Sequence, residues 1–228
     1  MAGLSGTCLA FVKGWRSTAP REPNATARRR SVVISVPAMP ADEWLERTRQ
    51  TLADYIPRRL ECGNATPAAI LVLIYDRDGE ANVVFTERTH QVEHHKGQIS
   101  FPGGACDDED DCLESTALRE TAEEIGVQPE DVEIIGQLDD MLTISNFHVT
   151  PYVGILKTNS EYPFVINSHE VAQVVQVPLP HLVDERNMEL EVRQHKGKEV
   201  LVPAYTYEEH RIWGATARML RQFLELLA

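Results

Sequence analysis

The apolar positions of this chain fall into blocks with two different periods. Residues 41–60 repeat at helical spacing, with Trp44, Leu45, Leu52, Tyr55 and Ile56 on one stripe and Asp42 and Glu43 in the opening turn. This predicts an amphipathic helix that Pro57 ends or kinks, with Trp44 as its anchor in the core. Residues 67–75 (PAAILVLIY) form an unbroken apolar run, the pattern of a strand buried on both faces. Asp76, Arg77, Asp78 and Gly79 supply turn chemistry, and 81–86 return as the second strand of a hairpin. A polar loop with three histidines covers 87–98, and a short strand at 99–101 is broken by Pro102, Gly103 and Gly104. An acidic loop at 107–111 leads into a helix over 113–125, with Gly126 placed to end it. Strands are expected at 132–138 and 149–156, joined by a loop carrying Asp139, Asp140 and Asn146, and again at 171–177. Residues 179–183 read as a short helix, 188–193 and 199–204 as a hairpin, and 212–227 as a C-terminal amphipathic helix. There is no internal repeat. Strands and helices mix without regular β-α-β alternation, which predicts an α+β fold: a mixed sheet with helices on its faces.

Composition changes this picture at one end. Residues 1–38 hold Lys13, Arg16, Arg21, Arg28, Arg29 and Arg30 against Glu22 alone, among Gly, Ser, Thr and Pro with little periodicity. The segment is expected to be poorly ordered. A disordered tail, an Arg-rich targeting peptide and an unused start upstream of Met39 all fit it. The folded domain is therefore expected over 39–228. The net charge of −13 argues against nucleic acid and anionic membrane surfaces as partners. No apolar run approaches the length of a membrane span. Cys8, Cys62, Cys106 and Cys112 are irregularly spaced without a C-x-x-C pair, so neither a disulfide framework nor a zinc site is expected, and a reducing cytoplasm fits. The length suits a single domain, as a monomer or a homodimer.

The candidate chemistry lies on the second helix. Glu120, Glu123 and Glu124 stand at i, i+3 and i+4, so their carboxylates share one face and repel. An isolated run of this kind is ordinarily a solvated acidic face. A hard divalent cation with oxygen ligands would turn the conflict into a site. His90, His94 and His95 lack a fourth ligand at normal spacing for zinc. Gly103 and Gly104 let the backbone turn. Trp213 is expected in the core.

The segment 104–127 resembles the Nudix box, G-x5-E-x7-R-E-U-x-E-E-x-G-U, through Arg119-Glu120, Glu123-Glu124, Gly126 and Val127. Asp110 takes the place of the first Glu, eight residues rather than seven before Arg119, and Thr121 stands where an aliphatic residue is usual. The stretch from Val84 through Arg88 to Gly97 and Phe101-Pro102-Gly103-Gly104 is similar to the coenzyme A pyrophosphatase branch, as are 149–154, 170–179 and 212–217. Thr89 and Glu93 depart from that branch, which has Ser or Ala and Arg there. The resemblance implies an α/β/α sandwich with a mixed β-sheet and a catalytic helix. It implies Mg²⁺ or Mn²⁺ bound by Glu120 and Glu124, with Glu123 as a further ligand or base. Arg119 is expected to clamp Asp110 or orient Glu123, and Glu170 to serve as a second-metal ligand or general base. The resemblance further implies Arg88 as a bidentate partner of a phosphate, His94, His95 and Lys96 beside Gln98 as phosphate donors, and Gly103 and Gly104 as the place where backbone approaches phosphate closely. The implied reaction converts coenzyme A or its derivatives into phosphopantetheine and adenosine 3′,5′-bisphosphate. ADP-ribose, NADH or a dinucleoside polyphosphate is the alternative substrate, and a non-catalytic nucleotide-sensing module the alternative class.

Overall fold

In the computed structural model, residues 39–89, 97–195 and 197–228 are described. Their organising strand is β1 (Thr66–Arg77), hydrogen-bonded along both edges. Its C-terminal half forms an antiparallel hairpin with β2 (Glu80–Arg88), Leu73 opposite Val84. The hairpin then opens, and residues 99–105 fill the wedge. There β3 (Ile99–Ser100) pairs with the end of β2, and β4 (Gly103–Ala105) with the start of β1. On the other edge β7 (Phe147–Leu156) runs parallel to β1, flanked by antiparallel β5 (Val132–Gln137) and β6 (Met141–Leu142). The free edge of β2 takes β8 (Val171–Pro178).

The two faces of β1 are sorted by its pleat. Ala69, Leu71, Leu73 and Tyr75 pack toward α2 (Leu113–Ile125). Ala68, Val72 and Ile74 pack toward α1 (Ala41–Ala53), α3 (Leu179–Val183) and α4 (Gly214–Leu227). Leu71, Val72, Leu73 and Ile74 are fully buried, each contributing about 1.5–3 kcal/mol. The result is an α/β/α sandwich on a mixed sheet. A smaller sheet of β9 (Met188–His195), β10 (Lys198–Tyr207) and β11 (His210–Ile212) joins it through Tyr205 and Ile212 in the α1–α4 core.

The short strand does end ahead of Pro102, and Gly103 and Gly104 open a separate strand, β4, because Gly103 at φ +143° lets the backbone lie flat on β1. Three expectations need correction. Residue 212 belongs to β11, and α4 starts two residues later. Trp213 is half-buried beneath the Arg193 guanidinium, 4.8 Å from the ring centre, rather than in the core. The first helix stops at Ala53 and not at residue 60. Beyond it the backbone finds better partners: Asp139 Oδ1 accepts from the Tyr55 hydroxyl at 2.6 Å and the Arg58 N–H at 2.8 Å, and Asp140 Oδ2 accepts from the Leu60 N–H at 2.9 Å. Ile56 is left 89% exposed. Trp44 is a core anchor, at 2% exposure. Among the described residues no helix is long and apolar enough to cross a membrane.

Asp140 fastens this segment to the sheet. It is buried and also accepts from the Thr150 hydroxyl at 2.9 Å, with His148 Nε2 at 3.2 Å. Asp140→Ala strands several buried partners, so it is expected to destabilise the fold by roughly 2–4 kcal/mol. Urea unfolding measures this, and a loss under 1 kcal/mol would mean that the staple is dispensable.

Candidate active site

The helix that carries the acids is fixed at both ends. At its start the Cys112 side chain and Ser115 cap each other's backbone. At its end Gly126 adopts φ 75°. Ala117, Thr121 and Ile125 are buried on the β1 side. Thr121 is tolerated there because its hydroxyl donates to the Ala117 carbonyl, 2.6 Å away.

That anchoring turns Glu120 and Glu124 toward the 103–104 backbone. Glu124 is only 5% exposed and accepts from the Gly103 N–H at 3.3 Å. Burial pushes its carboxyl up from 4.5 to about 8, reinforced by the charges of Glu120 and Glu170 and opposed by that N–H and by Arg88. Burial raises Glu120 as well, with the charges of Glu123 and Glu170 adding to the effect and Arg119 opposing it. The Glu120 carboxylate rests against Gly104, where a Cβ would lie 2.4 Å from its Oε2. A Cβ on Gly103 would lie 2.3 Å from the Ala69 carbonyl oxygen. Gly103 is therefore required by its close approach to backbone, whereas Gly104 leaves room for the Glu120 carboxylate in its present position.

Arg119 is the hub behind the acids. Its Nε and Nη2 donate to the two oxygens of Asp110, each at 2.8 Å. Its Nη1 donates to Glu120 at 2.9 Å and Glu123 at 3.2 Å. The guanidinium bonds hold Asp110 well below the usual carboxylate range, helped by the Asp107 N–H and the Thr116 hydroxyl. The eight-residue spacing from Asp110 to Arg119 thus still closes the loop onto the helix. Glu123 sits at the rim with its side chain 58% exposed, drawn toward Arg119.

Arg88 faces the same acids from the end of β2. Among the described residues its buried Nε has no hydrogen-bond partner, and its charge reaches Glu124. Gln98 pairs through its carbonyl oxygen with the Arg88 N–H at 3.0 Å. Glu170 is exposed in the turn before β8, close enough to act electrostatically on both Glu120 and Glu124. His95, with His90, Glu93, His94 and Lys96, lies outside the described residues. The sequence reading missed Asn167, whose N–H donates to the Glu124 carbonyl at 2.9 Å and ties the 167–170 turn to the helix. No periodicity or motif marks it. The broad groove between 161–166 and β8 is lined by none of Glu120, Glu124 and Glu170.

With a chelator present, Glu124 keeps its proton up to about pH 8 in the folded chain but only to about 4.5 when unfolded. The folded state therefore holds the extra proton between those values, and stability falls as pH rises through that window. The thermal midpoint is expected to decline from about pH 5 to pH 8, and Glu124→Gln to remove that decline. The same slope in the variant would place the proton on another group.

The family model for the NUDIX domain matches residues 65–203. The chain is 34% identical over 187 residues to the uncharacterized Nudix hydrolase NudL of Citrobacter koseri, covering 78% of this chain and 95% of that one. It is 32% identical over 158 residues to Nudix hydrolase 15, mitochondrial, of Arabidopsis thaliana, covering 67% of this chain and 55% of the relative. A solved MutT/nudix family protein from Enterococcus faecalis superposes with a TM-score of 0.46 at 14% identity, covering 82% of this chain and 69% of that one. The profile match over the sheet and the acid-bearing helix, together with relatives aligned across most of the chain, makes this protein a member of the Nudix hydrolase family, enzymes that generally work with divalent metal ions.

Proposed function

We propose that the protein hydrolyses the diphosphate bond of coenzyme A or its thioesters, giving phosphopantetheine, or its S-acyl form from a thioester, and adenosine 3′,5′-bisphosphate. The observation that carries the catalytic part of this reading is the buried Glu120–Glu124 pair. Two desolvated carboxylates, one bonded to a single peptide N–H, form a donor set suited to a hard divalent cation. Mg²⁺ or Mn²⁺ held by Glu120 and Glu124, with Glu123 or Glu170 as a further ligand, would neutralise the charge of the diphosphate.

The remaining work belongs to the chain. The flat backbone at Gly103 and Gly104 admits a phosphate close to the acids, and the Arg88 Nε, without a partner among the described residues, offers it a charged donor. Gln98 extends that binding surface, and the family resemblance gives His95 the same role. Glu170 or Glu123 accepts the proton of the attacking water as its oxygen bonds to phosphorus. The phosphorus–oxygen bond of the anhydride breaks, and the departing phosphate takes its electron pair. Arg119 keeps Glu120, Glu123 and Asp110 in register. The coenzyme A assignment is supported by the stretch from Val84 to Gly104. Glu93, an acid where that signature has a base, favours ADP-ribose, NADH or a dinucleoside polyphosphate as the second reading.

A panel of coenzyme A, ADP-ribose, NADH and diadenosine polyphosphates with Mg²⁺ or Mn²⁺ tests the reading, with coenzyme A expected to turn over fastest. Preference for another member would transfer the assignment to it. Glu124→Gln is expected to lower kcat at least about a hundredfold while the fold persists. Arg88→Ala should raise KM more than it lowers kcat, because it removes a binding donor. A Glu124→Gln variant with full activity would refute the metal-binding role.

A further inference from the structure

Glu170 stands in a turn rather than on a helix or an uninterrupted strand, so something must hold it where its charge acts on Glu120 and Glu124. Two anchors are present. On the helix side, Asn167 donates its N–H to the Glu124 carbonyl, and its own carbonyl accepts from the Glu170 N–H at 3.0 Å and the Val171 N–H at 2.9 Å. On the sheet side, Thr89 donates its N–H to the Glu170 carbonyl at 2.9 Å and its hydroxyl to the His169 carbonyl at 3.1 Å. Thr89 is buried, at 7% exposure.

The sheet register shows what this second anchor must counter. Up to Glu87 the strands pair in step, Glu87 opposite Gln173, but Arg88 lies opposite Val171. Ala172 is the extra residue of a β-bulge, which re-aims the side chains that follow it. The bulge puts Arg88 and Val171 on the α2 face together and leaves the ladder short of regular pairs where Glu170 begins. The hydroxyl of Thr89 adds a bond just past the last ladder pair, at a position that the related branch fills with Ser or Ala.

We propose that Thr89 is a positioning residue, its hydroxyl holding the 168–170 turn so that Glu170 stays in place beside Glu120 and Glu124. The proposal rests on the role given to Glu170 above. Thr89→Val removes the hydroxyl at nearly constant volume, and the exposed His169 carbonyl can turn to water. Thr89→Val, Thr89→Ser, Glu170→Gln and the double variant Thr89→Val/Glu170→Gln are assayed at saturating Mn²⁺ on whichever of coenzyme A, ADP-ribose, NADH and diadenosine tetraphosphate the wild type hydrolyses fastest. Thr89→Val is expected to lower kcat about ten- to a hundredfold with KM changed less than about threefold, and Thr89→Ser to restore it. In the Glu170→Gln background Thr89→Val should cost less than about twofold more, because both act through one group. Undiminished kcat in Thr89→Val, failure of Ser to rescue, or the same loss in both backgrounds would overturn the positioning role. If Glu170→Gln itself keeps wild-type kcat, the role of Glu170 falls and the positioning falls with it. An inactive Glu170→Gln beside an unimpaired Thr89→Val overturns the positioning alone. If Thr89→Val does not fold, Thr89→Ala makes the same comparison with less bulk.

Discussion

Keeping ionisable oxygen out of water is the constraint around which this molecule is arranged. Glu124 is almost fully enclosed, and among the described residues one N–H, that of Gly103, donates to its carboxylate. A lone carboxylate in such surroundings holds its proton well above the usual range. A second acid one turn away would ordinarily be selected against. The neighbourhood answers with cations at two distances: the Arg119 fork beside Glu120, and Arg88 across from Glu124. Both offset part of the repulsion within the cluster.

Arg119 has a second duty that the acids alone do not disclose. By gripping Asp110 with two parallel bonds, it draws the acidic loop back over the start of the helix. Thr116 and the Asp107 N–H complete the grip on the same carboxylate. The helix, the loop and the glycine strand are thus one unit, because Nη2 also reaches the Ala105 carbonyl at the end of β4. Lys could not replace this side chain, since a single ammonium cannot serve that planar set of partners.

Much of this was legible in the chain, for identifiable reasons. The run from Pro67 to Tyr75 announces a central strand because both of its faces are enclosed, and the spacing of Glu120 and Glu124 announces a shared helical face. Gly126 ends its helix where a positive φ was needed. The failures are local competitions. Tyr55 keeps helical spacing, yet its hydroxyl is claimed by Asp139, a residue 84 positions away that no periodicity can foresee. Gly103 and Gly104 do mark the end of the strand before them, but the sequence does not show what they do next. Their actual use, a flat approach to Ala69 and Glu120, depends on neighbours from other elements. Trp213 resembles a core residue in size, and its partner Arg193 comes from the separate small sheet. The exposed turn that carries Glu170 has no periodic signature at all, and its anchors are backbone groups and one side-chain hydroxyl, that of Thr89.

The parallel pairing of β1 with β7 has a consequence for how the chain reaches this state. Thr66 meets Phe147 and Ile74 meets Ile155, so the central strand lacks half of its backbone partners until some eighty further residues exist. During synthesis on the ribosome the β1–β2 hairpin must wait with an unpaired, strongly apolar edge. Closing so long a loop makes this the expected slow event in folding. A nascent chain stalled before residue 147 would present that edge to chaperones or to other nascent chains.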